Sequence, residues 1–402
     1  MKKGWEVKSL KEIGITQTGT TPKTSEKENY GDFIPFIKPA DIDINGNGEI
    51  RYDNEGKSEQ GLKNGRKMIE GSILMVCIGA TIGKVGFADR DVSCNQQINS
   101  LTVKKELCPK FFYYALTTEN FFKQVINNAA QATLPIINKN KWETLTVSYP
   151  KSLPEQHRIV SILDKAFASI ATAKEHAEKN LKNAKEVFES YLTGVFEKRG
   201  DRWEEKRLGD VCLIKPPKDE ARQKLKTKDL VSFVPMEDLG IGQMFLEPKK
   251  EKTLGEVISS YTYFADNDIL LAKITPCFEN GKIGIAKNLS NGIGFGSSEY
   301  IAFRPKNNIP SEFIYYFLSQ ENFRLEGEQR MTGAVGHKRL PPEFVQNYFI
   351  PLPSLSEQKR IVSQLESLST ETKKLESIYQ QKLANLEELK KSILHKAFNG
   401  EL

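Results

Sequence analysis

The chain is written twice. Leu153-Pro154-Glu155-Gln156-His157-Arg158-Ile159-Val160 returns as Leu355-Ser356-Glu357-Gln358-Lys359-Arg360-Ile361-Val362. Ile159 and Ile361 stand 202 positions apart, and that offset holds without a gap through Leu192/Leu394 and Phe196/Phe398. The segment around Trp5 and Leu10 likewise returns around Trp203 and Leu208. A period of about 200 residues is far above that of solenoid repeats, so the pattern predicts a tandem pair of large modules. A duplicated module suggests a target that also comes in two halves.

The 402 residues exceed one hydrophobic core, so two or more domains are expected. With 39% hydrophobic and 27% charged residues, the composition is that of a soluble globular chain. No apolar run approaches the ~20 residues of a membrane span, and Met1-Lys2-Lys3-Gly4-Trp5 leads into no signal peptide. Five cysteines without a CxxC pair argue against a disulfide framework or a zinc site and suit a reducing cytoplasm. A net charge of +6 is compatible with a polyanion partner but does not by itself select one.

Each half splits into a mixed segment and a helical one, giving expected divisions at 1–151, 152–199, 200–353 and 354–402. The mixed segments hold short apolar runs such as Ile73–Ile78 and Ile269–Ala272, which read as buried strands. One or two helices are expected to join them in each half, as over Pro109–Asn127 and its match Pro310–Glu326. Gly292-Ile293-Gly294-Phe295-Gly296 reads as a loop, because no strand–turn–helix pattern of a dinucleotide site surrounds it. The fold class expected is α+β: two similar mixed α/β globules separated by two long antiparallel coiled-coil helices, with internal pseudo-two-fold symmetry.

The helical segments start at Ser152-Leu153-Pro154-Glu155 and Ser354-Leu355-Ser356-Glu357, both S-x-x-E capping boxes. No proline or glycine follows until Gly194 and Gly400, so helices of about 40 residues are predicted. A seven-residue spacing runs through Ile159, Leu163, Ala166, Ile170, Ala173, Ala177, Ala184 and Val187 in the first helix. In the second it runs through Ile361, Leu365, Leu368, Leu375, Tyr379, Leu386, Leu389 and Ile393. Small residues facing large ones would let the helices approach closely. Chain order makes the pair antiparallel; the competing arrangement packs each seam on its own globule.

Catalytic chemistry is hard to build from these residues. Gly79-Ala80-Thr81-Ile82-Gly83-Lys84-Val85 is one residue short of a phosphate loop and lacks its hydroxyl. It reads as a turn that leaves Thr81 and Lys84 free to meet DNA. The four histidines show no metal-ligand spacing. No catalytic and no metal site is predicted. Recognition remains. Gln131–Lys139 and Gly333–Arg339 are polar loops at matching places in the two halves, and their amide, hydroxyl and basic groups can reach base edges and phosphates. The candidates are Gln131, Thr133, Asn138 and Lys139 in the first half and His337, Lys338 and Arg339 in the second.

The two Glu-Gln-x-Arg-Ile-Val helix starts, with the Trp5–Leu10 and Trp203–Leu208 segments, Ile269–Ile274 and Phe278–Gly284, resemble the specificity subunits of type I restriction–modification systems. The resemblance covers the whole chain. It implies two target recognition domains, each reading half of an asymmetric site in double-stranded DNA. The resemblance adds Lys273 and Lys282 as secondary candidates for DNA contact. The helices would set the spacer and dock two methyltransferase subunits, with restriction subunits in the full complex. S-adenosylmethionine, ATP and magnesium would belong to those partners, and this chain would carry no cofactor. A non-DNA scaffold whose two globules bind proteins is the alternative, and an enzyme with an unfamiliar site a third.

Overall fold

The computed structural model describes residues 4–42, 48–130, 134–198, 200, 203–334 and 336–402. The chain forms two compact units: Met1–Ala177 with Gln381–Leu402, and Glu178–Gln380. Two long helices, Leu153–Glu197 and Leu355–Phe398, give part of their length to each unit.

In the first unit Trp5–Ser9 pairs antiparallel with Thr146–Pro150, tying the two ends of the mixed segment together. A four-stranded antiparallel sheet follows in the order Gly14–Thr18, Ile98–Val103, Ile73–Val76, Val85–Phe87. The central strand explains its unbroken apolar sequence. Side chains alternate across a strand; Ile73 and Met75 enter one core while Leu74 and Val76 enter another. A smaller sheet places Tyr30–Ile37 between Gly56–Lys57 and Ser93–Cys94.

The second unit repeats this plan. Glu204–Arg207 pairs with Phe349–Leu352, and the sheet order is Cys212–Ile214, Tyr300–Pro305, Ile269–Ala272, Ile283–Ile285. Ile269 and Leu271 face one core, Leu270 and Ala272 another. Its other sheet runs Lys250–Thr253, Leu230–Val234, Ile293–Gly296, Thr262–Ala265. The glycine-rich run expected as a loop is therefore a buried strand, Ile293–Gly296. Its glycines are a packing requirement, since a Cβ on Gly294 would lie 2.2 Å from the Phe264 ring.

Each expected helical stretch holds two helices. Pro109–Leu116 is followed by Glu119–Asn128, because Thr118 caps the second piece by accepting from Phe121 N at 3.3 Å. The match in the second unit is Ser311–Leu318 and Glu321–Arg330.

The doubled helix-start motif anchors the helix in both units, with one more side-chain hydrogen bond in the first. Gln156 is buried, accepting from Cys108 N at 2.9 Å and donating to Pro150 O at 2.9 Å. Gln358, also buried, donates to Pro353 O at 2.8 Å. Ile159 and Val160 enter the first core, Ile361 and Val362 the second. Glu155 pairs with Arg158 at 2.7 Å and Glu357 with Arg360 at 3.4 Å on the exposed side. Ser354 Oγ accepts from Glu357 N at 3.4 Å, the serine half of the predicted capping box.

Within each unit the two helices run antiparallel. Arg158 donates to Leu402 O at 2.7 Å and Lys174 pairs with Glu387 at 2.8 Å in the first unit. In the second, Tyr191 donates to Gln364 at 3.5 Å. On the heptad spacing, Ile159 and Leu163 are buried in the first core and Ile361 and Leu365 in the second, as in the competing arrangement, and Ile170, Ala177 and Ala184 are buried as well. Ala166, Ala173, Leu368, Tyr379, Leu386 and Ile393 are half-buried. Val187, Leu375 and Leu389 depart from it, being 53%, 43% and 47% exposed. A straight helix of 3.6 residues per turn drifts about 20° per heptad from a 3.5-residue seam. Drift does not account for the departures here, because Leu163, Ile170, Ala177 and Ala184 stay buried at seven-residue steps. Each helix end instead turns other residues into a globule core, Leu192 and Phe196 into the second and Ala397 into the first.

Candidate nucleic-acid interface

The two mixed segments present the same backbone arrangement at one end of the four-stranded sheet. In the first unit Cys77 N donates to Gln97 O at 2.8 Å, Ile137 N to Cys77 O at 3.0 Å, and Gly79 N to Pro135 O at 3.1 Å. In the second, Lys273 N donates to Glu299 O at 2.9 Å, Leu340 N to Lys273 O at 2.8 Å, and Thr275 N to Lys338 O at 3.0 Å. Ile136 bridges Ile78 and Ala130; Arg339 bridges Ile274 and Thr332. Cys77, Gln97 and Ile136 thus stand where the second unit has Lys273, Glu299 and Arg339.

The same frame therefore carries different chemistry. On the first unit it is neutral: Asn95 donates to Gln97 at 3.0 Å, and Thr21 donates to Gln96. Leu134 and Ile136 are exposed beside them. On the second unit it is charged. Arg339 holds Glu299 through Nε at 3.0 Å and Nη2 at 2.8 Å. Lys273 donates to Ser298 O at 2.8 Å and lies 3.9 Å from the Glu299 carboxylate. The Arg339 hydrogen bonds hold the Glu299 carboxyl below its ordinary range, whereas burial lowers the Lys273 ammonium. His337 and Lys338 are exposed on the same loop.

Several residues expected to meet DNA are committed elsewhere. Lys84 donates to Ile42 O at 3.4 Å and Lys282 to Met236 O at 2.8 Å, equivalent tethers from the sheet to a neighbouring loop. Lys84 is thus not the free lysine expected of its turn, although Thr81 is exposed there. Gly83, at φ +92, lets that turn lie against Phe122, 2.4 Å from where a Cβ would be. Asn138 caps Lys139–Trp142 by accepting from Lys141 N at 2.9 Å, and Lys139 pairs with Glu143 at 2.6 Å. These are local helix requirements, a cap and an i,i+4 pair. Gln131 and Thr133 lie outside the described residues. Asn95–Gln97 and Ser298–Glu299, not among the expected residues, also belong to this frame, each as a polar cluster preceding the matching strands Ile98–Val103 and Tyr300–Pro305.

A cleft of about 1240 Å³ in the first unit is lined by Tyr114, Asp164, Lys174 and Glu387 among others. Its charges are largely self-paired: Asp164 accepts from Lys110 at 2.8 Å and Tyr114 at 2.5 Å. Burial pushes the Cys77, Cys94 and Cys212 thiols up to about 12, which removes them as nucleophiles at neutral pH. Among the described residues no group of three side chains could hold a metal, and no helix is long and apolar enough to cross a membrane.

The family model for the type I restriction modification DNA specificity domain matches residues 2–183 and again 200–387. The type I restriction enzyme EcoEI specificity subunit of Escherichia coli is 37% identical over 186 residues, 46% of this chain and 30% of that protein. The EcoAI specificity subunit of the same species is 38% identical over 191 residues, again 46% of this chain and 31% of the relative. The chain thus matches about a third of the length of these relatives. A solved chain from a study of assembly and conformational transition in a type I R-M system shares the fold at a TM-score of 0.78 and 18% identity. That alignment covers 100% of this chain and 99% of the other.

Proposed function

Because this chain belongs to the type I restriction modification DNA specificity family, we propose that it is a non-catalytic subunit whose two units each read one half of a bipartite DNA site. The observation that carries the reading is the repeated sheet-end frame with altered chemistry. Identical backbone hydrogen bonds hold Cys77, Gln97 and Ile136 in one copy and Lys273, Glu299 and Arg339 in the other. A shared frame with different side chains is what two readers of different half-sites need, since base edges are distinguished by donor and acceptor pattern.

The long helices dock methyltransferase subunits and set the spacer between the half-sites. Those subunits supply S-adenosylmethionine and methylate adenine; restriction subunits supply ATP- and magnesium-dependent cleavage. The assembly works in the cytoplasm. Duplex DNA binding by the full chain, measured across a salt series, tests the reading. Affinity should fall steeply with salt as phosphate contacts release counterions. A flat salt response, or no binding, would favour the protein-binding scaffold instead.

A further inference from the structure

We propose that Arg339 is the guanine reader of the second unit and that Glu299 is its positioning residue. This rests on the DNA-recognition reading above and names the base the second unit selects. A guanidinium has five N–H donors. Arg339 uses Nε and Nη2 on the Glu299 carboxylate, at 3.0 and 2.8 Å, and Nη1 on His337 O at 3.2 Å. One N–H is left on Nη1 and one on Nη2, a pair of parallel donors at the tip. Guanine offers two adjacent acceptors, O6 and N7, in the major groove, and an end-on arginine fork fits them.

The surroundings favour that use. The Arg339 side chain keeps 48% of its surface exposed, whereas Glu299 keeps 22% and lies behind it. Lys273 closes the far side of the carboxylate at 3.9 Å, so Glu299 is held between two cations and cannot rotate away without losing both. Arg339 is fixed at its backbone too, bridging Ile274 and Thr332. The fork is therefore oriented before DNA arrives, which reduces the ordering cost of binding. The equivalent of Arg339 in the first unit is Ile136, which has no donor to offer, and its neighbours there are the amides of Asn95 and Gln97. The preference for guanine through this position is thus a property of one half-site only.

The test uses the full chain co-produced with methyltransferase subunits, and a pool of duplexes randomised over the binding region. The wild-type protein should enrich a two-part motif with a guanine in one part. Replacing that guanine by 7-deazaguanine, which keeps base pairing but lacks N7, should weaken wild-type binding roughly ten-fold and leave Arg339→Ala indifferent. Arg339→Ala should lose roughly ten- to hundred-fold discrimination at that base and keep the other part of the motif. Glu299→Gln should bind non-cognate duplex more tightly, having lost a negative charge, while discriminating less. A two-part motif left unchanged at every position by Arg339→Ala overturns the inference and spares the DNA-recognition reading. Enrichment of no motif by the wild type overturns both.

Discussion

Lys57 offers a test of how the first unit's proposed recognition loops are held. Its side chain is fully buried, with Nζ donating to Thr20 O and Ser93 Oγ at 2.9 Å each and lying 4.3 Å from the Phe36 ring centroid. Among the described residues no carboxylate pairs with it. Thr20 leads into Thr21, which donates to Gln96 in the proposed recognition frame. In Lys57→Met, Ser93 Oγ still donates to Arg66 O at 2.9 Å, but the Thr20 carbonyl loses this donor. That loss costs about 1–3 kcal/mol, and the lost cation–ring contact about 0.5–2 kcal/mol. Against them stands relief from burying an ammonium with only neutral partners, several kcal/mol. The terms nearly cancel, so unfolding at pH 7 should differ from wild type by no more than about 1 kcal/mol, a few degrees in Tm.

The pH dependence has a definite sign. Burial lowers the Lys57 ammonium below its ordinary range, so the unfolded chain holds this proton more tightly than the folded one. The full burial cost is present below the folded pKa and is relieved as pH rises through it, levelling above the unfolded value of about 10.4. Denaturant unfolding of both proteins from pH 7 to 10.5 should show wild type gaining on Lys57→Met as pH rises. First-unit half-site affinity should drop several-fold with an unchanged salt slope, because a buried ammonium meets no phosphate. A wild-type advantage that shrinks with pH, or a reduced salt slope in the variant, would refute this account of Lys57.

Other expectations concern the seam and the charged frame. Leu192→Ala should cost about 2–5 kcal/mol and Val187→Ser less than about 0.5 kcal/mol in denaturant unfolding. The reverse order would restore the strict heptad seam. Glu299 titrates lower when folded than unfolded, so its contribution is present above the unfolded carboxylate pKa and lost as pH falls through the folded one. Glu299→Gln should therefore flatten the acid limb of the unfolding curve below about pH 4 to 5; an unaltered limb would mean the Arg339 contact is not kept in solution.

What could be read from the residues follows physical range. The duplication, the helix starts and the buried strands are local patterns, and Ile73–Val76, Ser354 and Gln156 obey them. The heptad spacing failed at Val187 and Leu389 because each helix end packs on a globule core, through Leu192 and Phe196 or through Ala397, and a helix's own spacing does not show which globule it will meet. Gly292–Gly296 misled because a glycine demanded by the Phe264 ring looks like one demanded by a turn. Lys84, Lys282, Asn138 and Lys139 have the right chemistry for DNA, yet each is committed to a carbonyl, a cap or an ion pair. The frame joining Lys273, Glu299 and Arg339 unites residues up to 66 positions apart, beyond any local signal.

The decisive measurement is a map of methylated adenines in DNA from cells making this chain with a partner methyltransferase. One gapped two-part motif is predicted, its parts altered separately by substitutions in the first and second units. An uninterrupted motif, or parts that change only together, would contradict two independent readers on one chain.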